Sequence, residues 1–132
     1  LGNSPMNFIE GKIEKTASGE LVFSDPTGKL NAPLDHSPTL AGYIGKTLTM
    51  GIRPEHLLAS SMKAGTQYSS FPVEVQLVER LGYESFAFGN LGEHQLVARL
   101  SPEEEAAPNT SLTLFAEVGK MHFFDVETGE KV

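Results

Sequence analysis

The chain has 132 residues, 39% hydrophobic and 20% charged, a composition of ordinary soluble globular type and a length suited to one domain that buries about two-thirds of its unfolded surface. Ten Lys and Arg stand singly against 17 Asp and Glu, for a formal net charge of −7, which argues against nucleic-acid backbone or an anionic membrane surface as partner. The absence of cysteine excludes disulfides and thiolate metal sites.

Strand-like alternation begins at residues 8–16 and resumes at 20–23. A short helical piece is expected over 37–43, before Gly45-Lys46 turns the chain into a third strand. There Leu48, Met50 and Ile52 oppose Thr47, Thr49 and Arg53, as a half-buried strand demands. Residues 60–70 show neither period and read as an exposed connector. Beyond them Phe71, Val73, Val75 and Leu77 are expected on one face, against Glu74 and Gln76. Further strands follow at 84–90, 94–100, 111–118 and 121–124. Between the strands at 94–100 and 111–118, Ser101, Pro102 and Glu104 have the spacing of a helix start with a capping box, with room for about one turn.

Thirteen glycines and eight prolines punctuate these segments. Many short strands between such turns predict an all-β fold, a small sandwich or barrel with one or two short helical turns. The strands fall into an N-terminal group (1–59) and a C-terminal group (71–132). A single domain is expected, because each half alone would have a marginal core. No stretch approaches the roughly 18 apolar residues of a membrane span, and no basic-then-apolar leader is visible. Leu1 in place of an initiating methionine is what a trimmed chain would show.

The densest polar cluster is Gly51-Ile52-Arg53-Pro54-Glu55-His56. Acid–base chemistry would need a nucleophile or metal and an orienting group within hydrogen-bond reach, and the spacing supplies neither. Pro54 pushes Arg53 to extended geometry and starts a rigid turn containing Glu55 and His56. Two readings stand side by side: an Arg53–Glu55 pair that locks the strand end, and an interface or ligand contact by Arg53, Glu55 and His56. Phe123 and Phe124 point to opposite faces if extended, so one fills the core while the other is free to meet a partner.

Other candidates are weaker. Gly45-Lys46-Thr47 matches the tail of a phosphate-binding loop, but Leu40 stands where its first glycine belongs and a strand follows instead of a helix. His94 and His122 lie beside Glu93 and Asp125 without metal-ligand spacing. Asp35-His36-Ser37 is too local for a nucleophile–base–orienter line. Glu103-Glu104-Glu105 suits the acidic first turn of a short helix. No catalytic, cofactor or metal residue is expected.

The ordered landmarks carry a family resemblance over nearly the whole chain. They are Leu1-Gly2-Asn3-Ser4-Pro5-Met6-Asn7-Phe8, then Gly51 to Leu57, then Val73-Glu74-Val75-Gln76-Leu77-Val78-Glu79-Arg80-Leu81-Gly82-Tyr83-Glu84, and His122-Phe123-Phe124-Asp125 with Thr128-Gly129. Together they resemble the C-terminal regulatory domain, of transport-associated OB type, in the ATP-binding subunits of bacterial ABC importers for maltose, multiple sugars and glycerol phosphate. The resemblance implies an OB-like small β-barrel and a non-catalytic module, with ATP and Mg handled by an upstream P-loop domain absent here. It also implies pairing with a second copy as a homodimer, permease subunits as partners through the parent protein, and a regulatory protein or small ligand. The implied location is cytoplasmic, beneath a membrane permease. Residues 24–39 and 60–70 are where such modules differ.

Two other readings compete. One is an oxyanion sensor resembling the domains of molybdate-type importers, which bind through backbone N–H groups and small polar side chains. The other is an OB-type nucleic-acid binder, disfavoured by scattered basic residues and the lack of tryptophan.

Overall fold

A computed structural model describes residues 5–35, 37–60 and 62–132. Leu1–Ser4 of the opening landmark and His36 lie outside the described residues.

Among the described residues ten strands form two sheets, and the alternation of apolar and polar residues explains most of them. β1 (Asn7–Lys15) buries Asn7, Ile9, Gly11 and Ile13 and exposes the residues between. β2 (Leu21–Ser24), β3 (Asn31–Leu34) and β4 (Thr47–Ile52) follow, with Leu48, Met50 and Ile52 fully buried. Next come β5 (Leu57–Leu58), β6 (Tyr68–Leu81), β7 (Glu84–Leu91), β8 (His94–Leu100), β9 (Ser111–Glu117) and β10 (His122–Asp125). One sheet has the order β10-β4-β1-β2-β3, and β5-β8-β7-β6-β9 close into a barrel. The all-β, OB-like barrel expected from the sequence is therefore the architecture found.

The two sheets do not divide at the connector. β5, from the N-terminal group, closes the barrel by pairing parallel to β8 and antiparallel to β9. β10, from the C-terminal group, returns to pair with β4 in the other sheet. A shared apolar cluster joins them, running from Ile9, Phe23 and Met50 to Phe71, Leu96 and Leu114. Phe23 meets Phe123 edge-on at 5.4 Å between ring centroids, a preferred aromatic geometry.

Four details differ from the sequence reading. β3 lies inside the segment 24–39, where alternation predicts no strand; it is an edge strand, where Pro33 costs no ladder bond to a further neighbour. The connector ends sooner than expected, because β6 already starts at Tyr68. Leu77 does not continue the buried face of Phe71, Val73 and Val75. A bulge between Val75 and Leu77 reverses the phase of β6, so Leu77 pairs with Phe88 and is 49% exposed.

The fourth difference is the helix expected at Ser101. The capping contact forms without it: the N–H and hydroxyl of Ser101 both donate to Glu104 Oε1 at 2.7 Å. The chain makes only a turn there, since Asn109 and Thr110 are already paired with Val75 on the bulged strand. Ser60 joins the same carboxylate, and these bonds outweigh burial to hold Glu104 below the usual carboxylate range. The other helical piece does form, as α1 (Pro38–Ala41), with the Ser37 hydroxyl accepting from the Leu40 N–H at 3.4 Å.

Candidate functional site

Arg53 and His56 sit where β4 meets the barrel. Arg53 is extended (φ −78°, ψ 151°) ahead of a 3-10 turn, Pro54–His56, closed by the His56 N–H on the Arg53 carbonyl at 2.9 Å. Pro54 is buried while Arg53 and Glu55 are exposed. The Arg53–Glu55 lock is not formed: among the described residues the ion pair is Arg99–Glu84 at 3.3 Å, on the barrel. The strand end is fixed instead by the proline and by Ile52 and Leu57, both fully buried.

The two phenylalanines separate as alternation requires. Phe123 is 7% exposed against Phe23, whereas Phe124 lies on the outer face, edge-on to Phe8 at 6.0 Å. Phe8 is itself 53% exposed. Between them Gly51 leaves room for Met6, whose Sδ would stand 2.4 Å from an added Cβ. An aromatic and thioether surface thus covers the outside of β1, β4 and β10.

That surface opens into a groove of about 490 Å³ between the sheet and the barrel, lined by Phe8, Pro54, Leu81, Phe86, Phe88 and Val97 among others. The bulge in β6 reverses the strand's phase, so that Glu79 and Leu81 line the groove beside Phe86 and Phe88 of β7. The floor is held by Asn7, which is 5% exposed. Its Nδ2 donates to the Val97 carbonyl at 2.9 Å and its Oδ1 accepts from the Val97 N–H at 2.8 Å. A side-chain amide thereby substitutes for a strand along β8.

His94 and His122 are not brought together. The Nε2 of His94 accepts the Glu10 N–H at 3.2 Å, a second tie between β1 and β8. His122 lies on β10 near Arg53 and His56, which sequence reasoning did not join to it. Burial, then the charges of Lys131, Arg53, His56 and Lys120, hold its imidazole below the ordinary value. Lys46 stands in a turn, 5.8 Å from the Tyr43 ring, with strand β4 after it. Among the described residues no group of three or more His, Asp or Glu side chains is placed to hold a metal ion, and no helix is long and apolar enough to cross a membrane.

Comparison with known proteins assigns this geometry to a family. A model described as the MalK OB fold domain matches residues 3–57, and one described as the TOBE domain matches residues 50–124. The whole chain is similar to the sn-glycerol-3-phosphate import ATP-binding protein UgpC of Salmonella typhimurium, at 36% identity. It is likewise similar to that of Escherichia coli K12, at 32%. The chain spans 34% of the length of each, and both matched models are OB-type domains. The ATP-binding domain of these relatives lies outside the 132 residues, and the chain is a non-catalytic domain. In fold it is similar to the cytoplasmic molybdate-binding protein ModG, crystallised with molybdate. The TM-score is 0.66 at 12% identity, over 93% of this chain and 98% of that one.

Proposed function

The chain belongs to the TOBE domain family, and on that premise we propose that residues 1–132 act as one regulatory and dimerisation unit in the ATP-hydrolysing subunit of a bacterial ABC importer. The solute class is sugars or glycerol phosphate. The observation that carries the reading is identity of 32–36% along all 132 residues to sn-glycerol-3-phosphate import ATP-binding proteins, whose names state the transport role. ATP and Mg would be handled by the parent's nucleotide-binding part, and this domain would sit on the cytoplasmic side, reaching the permease through that parent.

The outer surface supports a contact role. Phe8 and Leu81 are each about half exposed in a mainly apolar groove, an arrangement that marks interaction sites more often than bare surface. A second copy of the subunit is the occupant this reading assigns. Sedimentation of the full subunit with and without this domain tests it: deletion should shift the dimer towards monomer and uncouple transport from its control. Unchanged dimerisation and regulation after deletion would count against the proposal.

A further inference from the structure

β6 runs on past the closure of the barrel and changes partner as it does so. Tyr68–Glu74 lie against β9, whereas Glu74–Leu81 lie against β7. On the β9 side the last bonds are the Val75 N–H to the Thr110 carbonyl at 2.9 Å and the Asn109 N–H to the Val75 carbonyl at 2.8 Å. There the neighbouring chain turns away at Asn109, which takes the left-handed conformation (φ 65°), and the bulge after Val75 bends β6 as well. Among the described residues no strand or loop backbone pairs with the outer margin of Leu77–Leu81.

The divergence leaves a gap of about 400 Å³ beside that margin, with Arg80 on one side and Glu105, Ala106, Ala107, Thr110 and Leu112 among the residues on the other. Every second residue of a strand paired on one side only turns its N–H and C=O outward, so the margin is a template for a further strand. The side chains decide which strand fits. Leu77, Glu79 and Leu81 share one face, opposite Phe88, Phe86 and Glu84 of β7; Val78 and Arg80 share the other. Beyond Phe86 the register sets Arg99, whose guanidinium is held by Glu84 at 3.3 Å. Glu79 and Arg80 take part in no ion pair among the described residues, and Arg80 reaches only the Ser85 hydroxyl, at 3.5 Å.

The same two charges bar a second copy. An antiparallel pair related by a two-fold axis sets residues of equal parity opposite each other, because opposed side chains share a face. Centred on Glu79 or on Arg80, it opposes like charges; centred on Val78, it sets Leu77 against Glu79. In no such register does Glu79 meet Arg80. A strand of different sequence has no such restriction.

We propose that the margin Leu77–Leu81 of β6 takes up an extended segment of another protein as an added antiparallel strand. Read from its N-terminus, that segment carries an apolar residue, a carboxylate, a cation and two apolar residues opposite Leu81, Arg80, Glu79, Val78 and Leu77. Main-chain bonds supply the attachment, and the opposed charges supply the selectivity. The assignment goes beyond the regulatory and dimerisation reading, which concerns the groove, and holds or fails independently of it.

Amide hydrogen exchange and NMR titration of the full chain test this. In the free chain alternate amides of residues 77–81 should exchange fast, while those between them, bonded to β7, are protected. Two short end-blocked peptides are then compared, one with the core apolar-Glu-Lys-apolar-apolar and one with Glu and Lys exchanged. The first should give saturable shifts at residues 77–81, slow the fast amides and bind about tenfold tighter than the second, the scale of two charge pairs reversed. The double substitution Glu79→Lys with Arg80→Glu should invert that preference; both side chains are exposed. N-methylation of the peptide amides that face β6 should abolish binding. Protection of every amide of 77–81 in the free chain, the absence of saturable shifts with the first peptide, or equal affinity for the two peptides would overturn the assignment, as would binding that survives N-methylation.

Discussion

The barrel and the open sheet handle their edges in opposite ways. The barrel has none, because a strand of two residues, Leu57–Leu58, bridges β8 and β9. The sheet has two. At β10 the Val132 N–H reaches the Phe123 carbonyl and the Asp125 N–H reaches Glu130, so a short bridge covers that edge. At β3 the Ser69 hydroxyl bonds the Asn31 carbonyl at 2.9 Å, tying the edge to the barrel. Closure removes the aggregation hazard of unpaired strands, and local covering only reduces it. The outer faces differ in the reverse sense. The closed barrel presents apolar Leu77, Leu81, Phe86 and Phe88, whereas the open sheet sets Phe8 and Phe124 beside the charged groups around His122.

If the two parts share one core, the strongest blow should fall on a residue that belongs to both. Phe23→Ala removes a fully buried ring from the sheet and its contact with Phe123. A loss of about 4 kcal/mol in urea unfolding is expected, with one transition; two separated transitions would show that sheet and barrel unfold independently. Asn7→Ala attacks the seam alone. It strands the N–H and carbonyl of Val97 on β8, for about 3 kcal/mol by the same measurement.

A smaller effect is expected at the β10 edge. The backbone N–H of Thr128 first, then the Tyr43 hydroxyl and the Glu127 N–H, hold Asp125 below the usual carboxylate range. Its contribution is therefore complete above the ordinary Asp pKa of about 3.9 and lost as pH falls through the depressed folded value. In Asp125→Asn, unfolding followed between about pH 5 and pH 2 should depend less on pH than in the parent chain. An identical slope in the two would dismiss the carboxylate as an edge fastening. Least affected should be Leu77→Gln, within about 0.5 kcal/mol, because the side chain stands outside the barrel. A loss of 2 kcal/mol or more would return Leu77 to the core face that simple alternation gives it.

Leu77 also shows where sequence reasoning stops. Alternation made eight strands legible, down to the bounds of His94–Leu100, because one buried face selects residues two apart. A bulge has no such signature: Gln76 is an ordinary strand residue, and only the pairing of Val75 with Gly89 and of Leu77 with Phe88 reveals the extra residue. β3 and β5 were hidden by brevity, and Pro33 disguised the former. The acidic turn after Ser101 carried a correct local contact, yet sheet pairing at Asn109 and Thr110 decided its shape. At the candidate site, Arg53, His56 and Phe124 were visible as an unusual cluster and an alternation. Their nearness to His122 was not, because it depends on which strands are neighbours. Asn7 was missed for a related reason, since a polar residue at the start of a strand gives no sign that it faces inward.

The exchange of β5 and β10 between the two halves also sets a timetable. During synthesis the first four strands emerge early, yet β4 waits for a partner encoded by residues 122–125, and the barrel waits for β9 to meet β5. Until those late segments leave the ribosome the nascent polypeptide carries exposed strand margins, the condition under which chaperone binding is most useful.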